Sequence, residues 1–173
     1  MDTALLQTAR HESRHALLLD SAGWKVTQLE AWEGGSGNTT VDERFAQILG
    51  MALDEPESRQ ETIDLFVVTL AAALANGKQS SAQDLAQADA ILRLWEEGTT
   101  SHKVFVWPSA RRLRAMAELE AAYFCMEQAD AIEALAESLA RHGMLRGARL
   151  QAEIRRCAKM GEDSVRYMAR KMA

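Results

Sequence analysis

Apolar and polar residues alternate along most of this chain at helical spacing. Leu5, Leu6, Ala9, Ala16 and Leu19 share one side of a 3.6-residue period. A helix is therefore predicted from Asp2 or Thr3, either a good N-cap, to about Ser21, with Ala22-Gly23 as its stop. The period then changes. Between Trp24 and Glu33, Val26, Leu29 and Trp32 stand among β-favouring neighbours such as Thr27, which predicts a strand. Gly34-Gly35-Ser36-Gly37-Asn38 predicts a turn, and Thr39 to Val41 a short return strand. This hairpin is the only sheet expected. Helical patterning resumes from Asp42 to Leu53, and again from Glu55-Pro56, with proline at the first helical position, to Asn76-Gly77. Ser80-Ser81 caps a helix running to Glu97-Gly98, and Thr99 to Pro108 reads as a loop or short extended piece. A long helix is predicted from Ser109 to Ala140 or Arg141, stopped near Gly143, and a further one from about Arg146 to Met160.

Composition supports the helical reading. Thirty alanines, two prolines and 6% aromatics make a chain rich in helix formers and poor in breakers. Its 173 residues suit one domain with a tail: residues 1–160 as the domain and 161–173 as a basic C-terminal tail. The longest apolar stretch, Leu65 to Ala75, is shorter than the ~18 residues a membrane span needs, so no membrane partner is expected. No signal-peptide layout opens the sequence. Cys125 and Cys157 match no metal or redox spacing and read as buried filler in a reducing, cytoplasmic setting.

The net charge of −5 is a sum of opposites: +6 from Arg141 onward and −11 before it. Basic residues favour helix C-termini, and such a tail can dock on its own acidic body or meet an acidic partner. Nucleic acid is a poor candidate, because the whole chain is acidic and the basic segment lacks interleaved aromatics.

One motif carries chemistry. His11-Glu12-Ser13-Arg14-His15 is an HExxH sequence inside the first predicted helix. Residues four apart share a helix face, so His11 and His15 can take two corners of a zinc ion. Glu12, one step round, can serve as general base toward a metal-activated water. A catalytic zinc needs a third protein ligand. His102 and His142 are available, and so are many carboxylates. Asp84, by itself, reads as a first-turn aspartate complementing a helix dipole.

The residues around these positions carry a resemblance. Thr8-Ala9-Arg10-His11-Glu12-Ser13-Arg14-His15-Ala16-Leu17 resembles the zinc helix of the peptidase domain in the FtsH family of ATP-dependent metalloproteases. Lys25-Val26-Thr27 looks like the family's next strand. Ser81-Ala82-Gln83-Asp84-Leu85-Ala86-Gln87-Ala88 is similar to the segment whose aspartate is the third zinc ligand, and Ile132 to Leu139 to a late helix of that domain. The matches keep the family's order over about residues 3–155. The resemblance implies a mainly α metallopeptidase domain with a small β-hairpin or sheet beside the HExxH helix. It implies Zn2+ on His11, His15 and Asp84, with Glu12 as catalytic base. Because an extended peptide can add to a free strand edge, Lys25, Val26, Thr27, Gln28 and Leu29 are expected to align substrate. Ser13-Arg14 stands where the family commonly has Ala-Gly, and Gln83 where many relatives have Asn. No GxxxxGK[ST] phosphate loop occurs in these residues.

The expected function is zinc-dependent hydrolysis of peptide bonds in a peptide or unfolded protein, ATP-independent in itself. A homo-oligomer, or a separate regulatory or motor partner, would fit the family's habits. The alternative is an inactive or partner-dependent binding or scaffold module on the same fold.

Overall fold

The computed structural model describes residues 2–42, 45–54, 59–101 and 106–172, with residues 45, 46, 54, 101 and 161–172 as backbone. It is mainly helical with a small antiparallel sheet, as the sequence predicts. The chain divides into two compact units. One comprises residues 1–42 and 123–173, the other residues 43–122.

The first unit is built on the helix α1 (Thr3–Ser21). Asp2 caps it, its carboxylate accepting from the Ala4 amide at 3.0 Å, and Gly23, at φ +81°, turns the chain out of its end. Two strands follow, β1 (Val26–Trp32) and β2 (Ser36–Val41), joined through Gly34 and Gly35 at positive φ. Their antiparallel register pairs Leu29 with Thr39 and Ala31 with Gly37. The helix α6 (Ala129–His142) and the strand β3 (Met144–Arg146) precede the last helix, α7 (Gly147–Met172). Ala9, Ala16 and Leu18 of α1, Leu29 of β1, Leu135, Ala136 and Leu139 of α6, and Leu150, Ile154 and Cys157 of α7 are fully buried and form the core. The small residues Ala9, Ala16 and Ala136 allow close helix approach. Arg10 and Glu133 tie α1 to α6 by a bidentate ion pair, at 2.6 and 2.7 Å.

The second unit contains α2 (Phe45–Asp54), α3 (Arg59–Ala73), α4 (Ala82–Ser101) and most of α5 (Ala110–Glu127). The apolar run in α3 is buried around most of its circumference, which explains why it lacks a polar face. Phe66 stacks at a tilt on Trp95, centroids 4.9 Å apart, and Trp95 donates its indole N–H to the Pro108 carbonyl at 2.9 Å. Gly98 accommodates Leu53, whose Cδ1 would lie 2.6 Å from an added Cβ.

Several boundaries differ from expectation. The sheet has a third strand: β3 pairs with β1 on the side away from β2, giving the order β2-β1-β3. Three residues are too few to show a period in sequence. The long helix after Ser109 is two helices, α5 and α6, broken at Gln128, where φ −101° and ψ 19° depart from helical values. No glycine or proline marks that break. The final helix does not stop at Gly161 but continues to Met172. One internal glycine costs about 1 kcal/mol against alanine, which good helix formers on both sides outweigh. The helix expected to reach Asn76 ends at Ala73, followed by a 3-10 turn at Gly77–Gln79. Conversely, α4 extends to Ser101, beyond the predicted stop at Gly98. The predicted starts at Glu55-Pro56 and the candidate ligand His102 lie outside the described residues.

Candidate metal centre

The α1 helix presents both motif histidines to the same point. Their Nε2 atoms are 3.1 Å apart, and the rings meet edge-to-face with centroids 4.8 Å apart. Two imidazole nitrogens at zinc–nitrogen distances of 2.0–2.1 Å in a tetrahedral shell are separated by about 3.3 Å. The pair therefore already has the separation that a shared cation requires. His15 is buried and His11 half-buried.

Asp84 reaches its position through the start of α4. Ser81 is the cap: its Oγ accepts from the Asp84 amide at 3.1 Å, and the Asp84 Oδ2 accepts from the Ser81 amide at 2.6 Å. This is a reciprocal capping box, and it fixes the orientation of the carboxylate. One ligand atom from each of His11, His15 and Asp84 lies within 4.8 Å of the others, and this group can hold a metal ion. Two imidazoles and a carboxylate form a mixed nitrogen and oxygen donor set suited to zinc and other borderline divalent metals. The donor set and the nitrogen spacing thus fit the ion that the sequence implies. His142 is not in this group; its Nδ1 meets the Ser138 carbonyl at 2.7 Å at the end of α6.

Glu12 is buried, and β2 fixes its carboxylate. The Thr39 hydroxyl donates to Glu12 Oε2 at 2.6 Å. Gly37 lies against the same side chain: a Cβ there would be 2.7 Å from Glu12 Cγ, 2.8 Å from its Oε1 and 2.8 Å from the Glu30 carbonyl oxygen. Only glycine fits at this position without displacing Glu12. The partners Thr39, Gly37 and Ser81 were not predictable as site residues. Each acts through cross-strand register or cap geometry rather than through a chemical signature of its own.

The remaining motif positions are also resolved. Ser13 is fully buried, and its hydroxyl has no hydrogen-bond partner among the described residues. Arg14 directs its charge toward Glu133 and Cys125, and favours the ionised form of both. Burial nonetheless keeps the Cys125 thiol above its ordinary pKa, as it does for Cys157.

The expected substrate strand needs correction. Lys25, Val26, Thr27, Gln28 and Leu29 fall at and within β1, which is the middle strand. One edge pairs with β2; along the other, Gln28 to Glu30 pair with β3 and the Val26 carbonyl accepts from the Gln151 side chain at 2.8 Å. The Lys25 carbonyl accepts from the Asp42 amide at 3.1 Å. Gln28 and Leu29 therefore lie between two strands rather than at a free edge. Among the described strands, β2 has its outer edge unpaired, and β2 is the strand that touches Glu12.

Compared with known proteins, the chain matches no family model and no curated sequence. No described helix is long and apolar enough to cross a membrane.

Proposed function

We propose that this chain is a zinc-dependent metallopeptidase whose catalytic unit is of the kind found in the FtsH family. The observation that carries the reading is the convergence of His11 and His15 Nε2, 3.1 Å apart, on a group that includes Asp84 and stands beside a buried glutamate. His11, His15 and Asp84 would hold the ion. Zinc, when bound, would supply Lewis acidity at the scissile carbonyl and lower the pKa of water to about 7. Glu12 accepts the proton of the attacking water on its carboxylate and delivers it to the leaving amine nitrogen. Thr39 holds that carboxylate in one orientation through its hydroxyl. The outer edge of β2 aligns an extended peptide by backbone pairing, in place of the β1 segment inferred from sequence. The substrate is a peptide or an unfolded protein segment, delivered where needed by a separate partner. Cytoplasmic residence belongs to the same proposal and agrees with two unbridged cysteines.

The test is a Glu12→Gln variant assayed on a peptide library together with its metal content. Cleavage should fall by about 10²–10⁴-fold while zinc stays bound. His11→Ala should lose the metal. A Glu12→Gln protein that cleaves at the wild-type rate overturns the mechanism. A folded wild-type chain that takes up no zinc favours the binding-module reading instead.

A further inference from the structure

The α5 helix buries one side and presents an apolar stripe on the opposite side. Leu113, Ala117 and Ala121 face inward. Leu119, Tyr123 and Met126 are 74%, 55% and 69% exposed, and Ala115 and Ala122 are exposed beside them. The positions 115, 119, 122 and 126 follow a four-three-four spacing, which is the seam pattern of a two-helix coiled coil. Isolated exposed apolar residues need no explanation, but a contiguous stripe over three turns does.

We propose that this stripe is the contact by which two copies of the chain associate, with their α5 helices antiparallel. Two features of the helix select that partner and that direction. The first is shape. Antiparallel pairing sets Leu119 of one copy against Ala122 of the other, and Met126 against Ala115, so each large residue meets a small one. Parallel pairing would set large against large and leave alanine against alanine. The second is charge. Arg111 and Arg112 stand at the start of α5, and Glu127 closes it. None of these three makes an ion pair with another described residue. Antiparallel pairing brings the basic end of each copy alongside the acidic end of the other, twice by symmetry. Parallel pairing would place like charges together. A two-fold, self-complementary interface is also the commonest way for identical chains to associate. The stripe from Ala115 to Met126 is roughly 17 Å long at 1.5 Å per residue, so a reversible dimer is expected rather than an obligate one.

Sedimentation velocity of the full chain over the micromolar range tests this. The average mass should rise with concentration from one chain of 19.1 kDa toward two. Leu119→Glu, an exposed change that leaves the core intact, should remain a single chain at every concentration, with an unchanged circular dichroism spectrum. Arg112→Glu and Glu127→Arg should each weaken association by about tenfold. The Arg112→Glu/Glu127→Arg double variant should recover it, because both symmetric contacts are restored with signs exchanged. A wild-type chain that stays single throughout overturns the proposal. So does a Leu119→Glu protein that still dimerises, or a double variant no stronger than its parents. None of these readouts depends on the metal centre.

Discussion

Gly37 has a steric role that its place in a glycine-rich hairpin conceals. Its missing side chain leaves room for Glu12, and Thr39 then holds the glutamate from the next residue on the same face of β2. Gly37→Ala should push the Glu12 carboxylate out of place at a cost of about 1–3 kcal/mol, typical of overpacking. Peptide cleavage by this variant should drop by at least about tenfold if the glutamate is the base. Zinc content should be unchanged, because the ligands lie on α1 and α4. Metal analysis and cleavage measured on one preparation separate the two effects. At this scale the sequence showed the residues that perform chemistry and hid those that position them. HExxH announces itself because histidine is scarce, with four in the chain, and because two of them flank a glutamate at a chemically specific spacing. Thr39 and Gly37 resemble any turn residues until the strand register sets them opposite Leu29 and Ala31 respectively, on the face toward α1.

The elements were legible where periodicity ran long. The α1 helix, its cap and its stop follow the prediction, and the strand after it is within two residues of the expected limits. Prediction failed where tertiary contacts outweigh local preference. β3 is three residues that become a strand only because β1 offers an open edge, and Gln128 ends α5 without any breaker. The same contacts explain why a central strand was mistaken for an edge: hairpin residues reveal one neighbour, not two. Between α1 and α6, the Arg10–Glu133 pair gives a pH-dependent fastening. The hydrogen bonds from Arg10 hold the Glu133 carboxyl below its ordinary pKa, with the nearby Arg10 and Arg14 charges adding to this. A depressed acid stabilises the fold fully above its unfolded pKa and loses that contribution as pH falls through its folded value. Both side chains are more than a third exposed, so solvent limits the pair to about 1 kcal/mol or less. Denaturant titrations of wild type and Glu133→Gln should therefore differ by a constant amount near neutral pH. The difference should vanish in strong acid.

For the whole molecule, the charge asymmetry read from sequence belongs to a structured element, since the basic end of the chain continues as the helix α7. Its inner face buries Leu150, Ile154 and Cys157 against the first unit. Burial raises the Cys157 thiol pKa, in keeping with a packing role for this cysteine. The mainly helical class was evident from alanine, proline and period. The division into two compact units was not, because no linker of distinct composition separates residues 42 and 43 and the second limit falls inside α5.

Asp84 accepts a hydrogen bond that closes the first turn of α4 and also contributes an oxygen to the His11–His15 group. Ligand occupancy and helix initiation thus draw on one carboxylate, and thermodynamic linkage couples them. Saturating zinc at 100 times its dissociation constant should raise the unfolding free energy by ~2.7 kcal/mol, visible as a chelator-sensitive melting temperature. Asp84→Asn keeps a side-chain oxygen for the Ser81 amide and should melt like the metal-free wild type. Asp84→Ala loses that acceptor as well and should melt lower, by about 1 kcal/mol of stability. Neither variant should respond to zinc. Comparing the two by differential scanning calorimetry would resolve one side chain into its architectural and its ion-binding contributions.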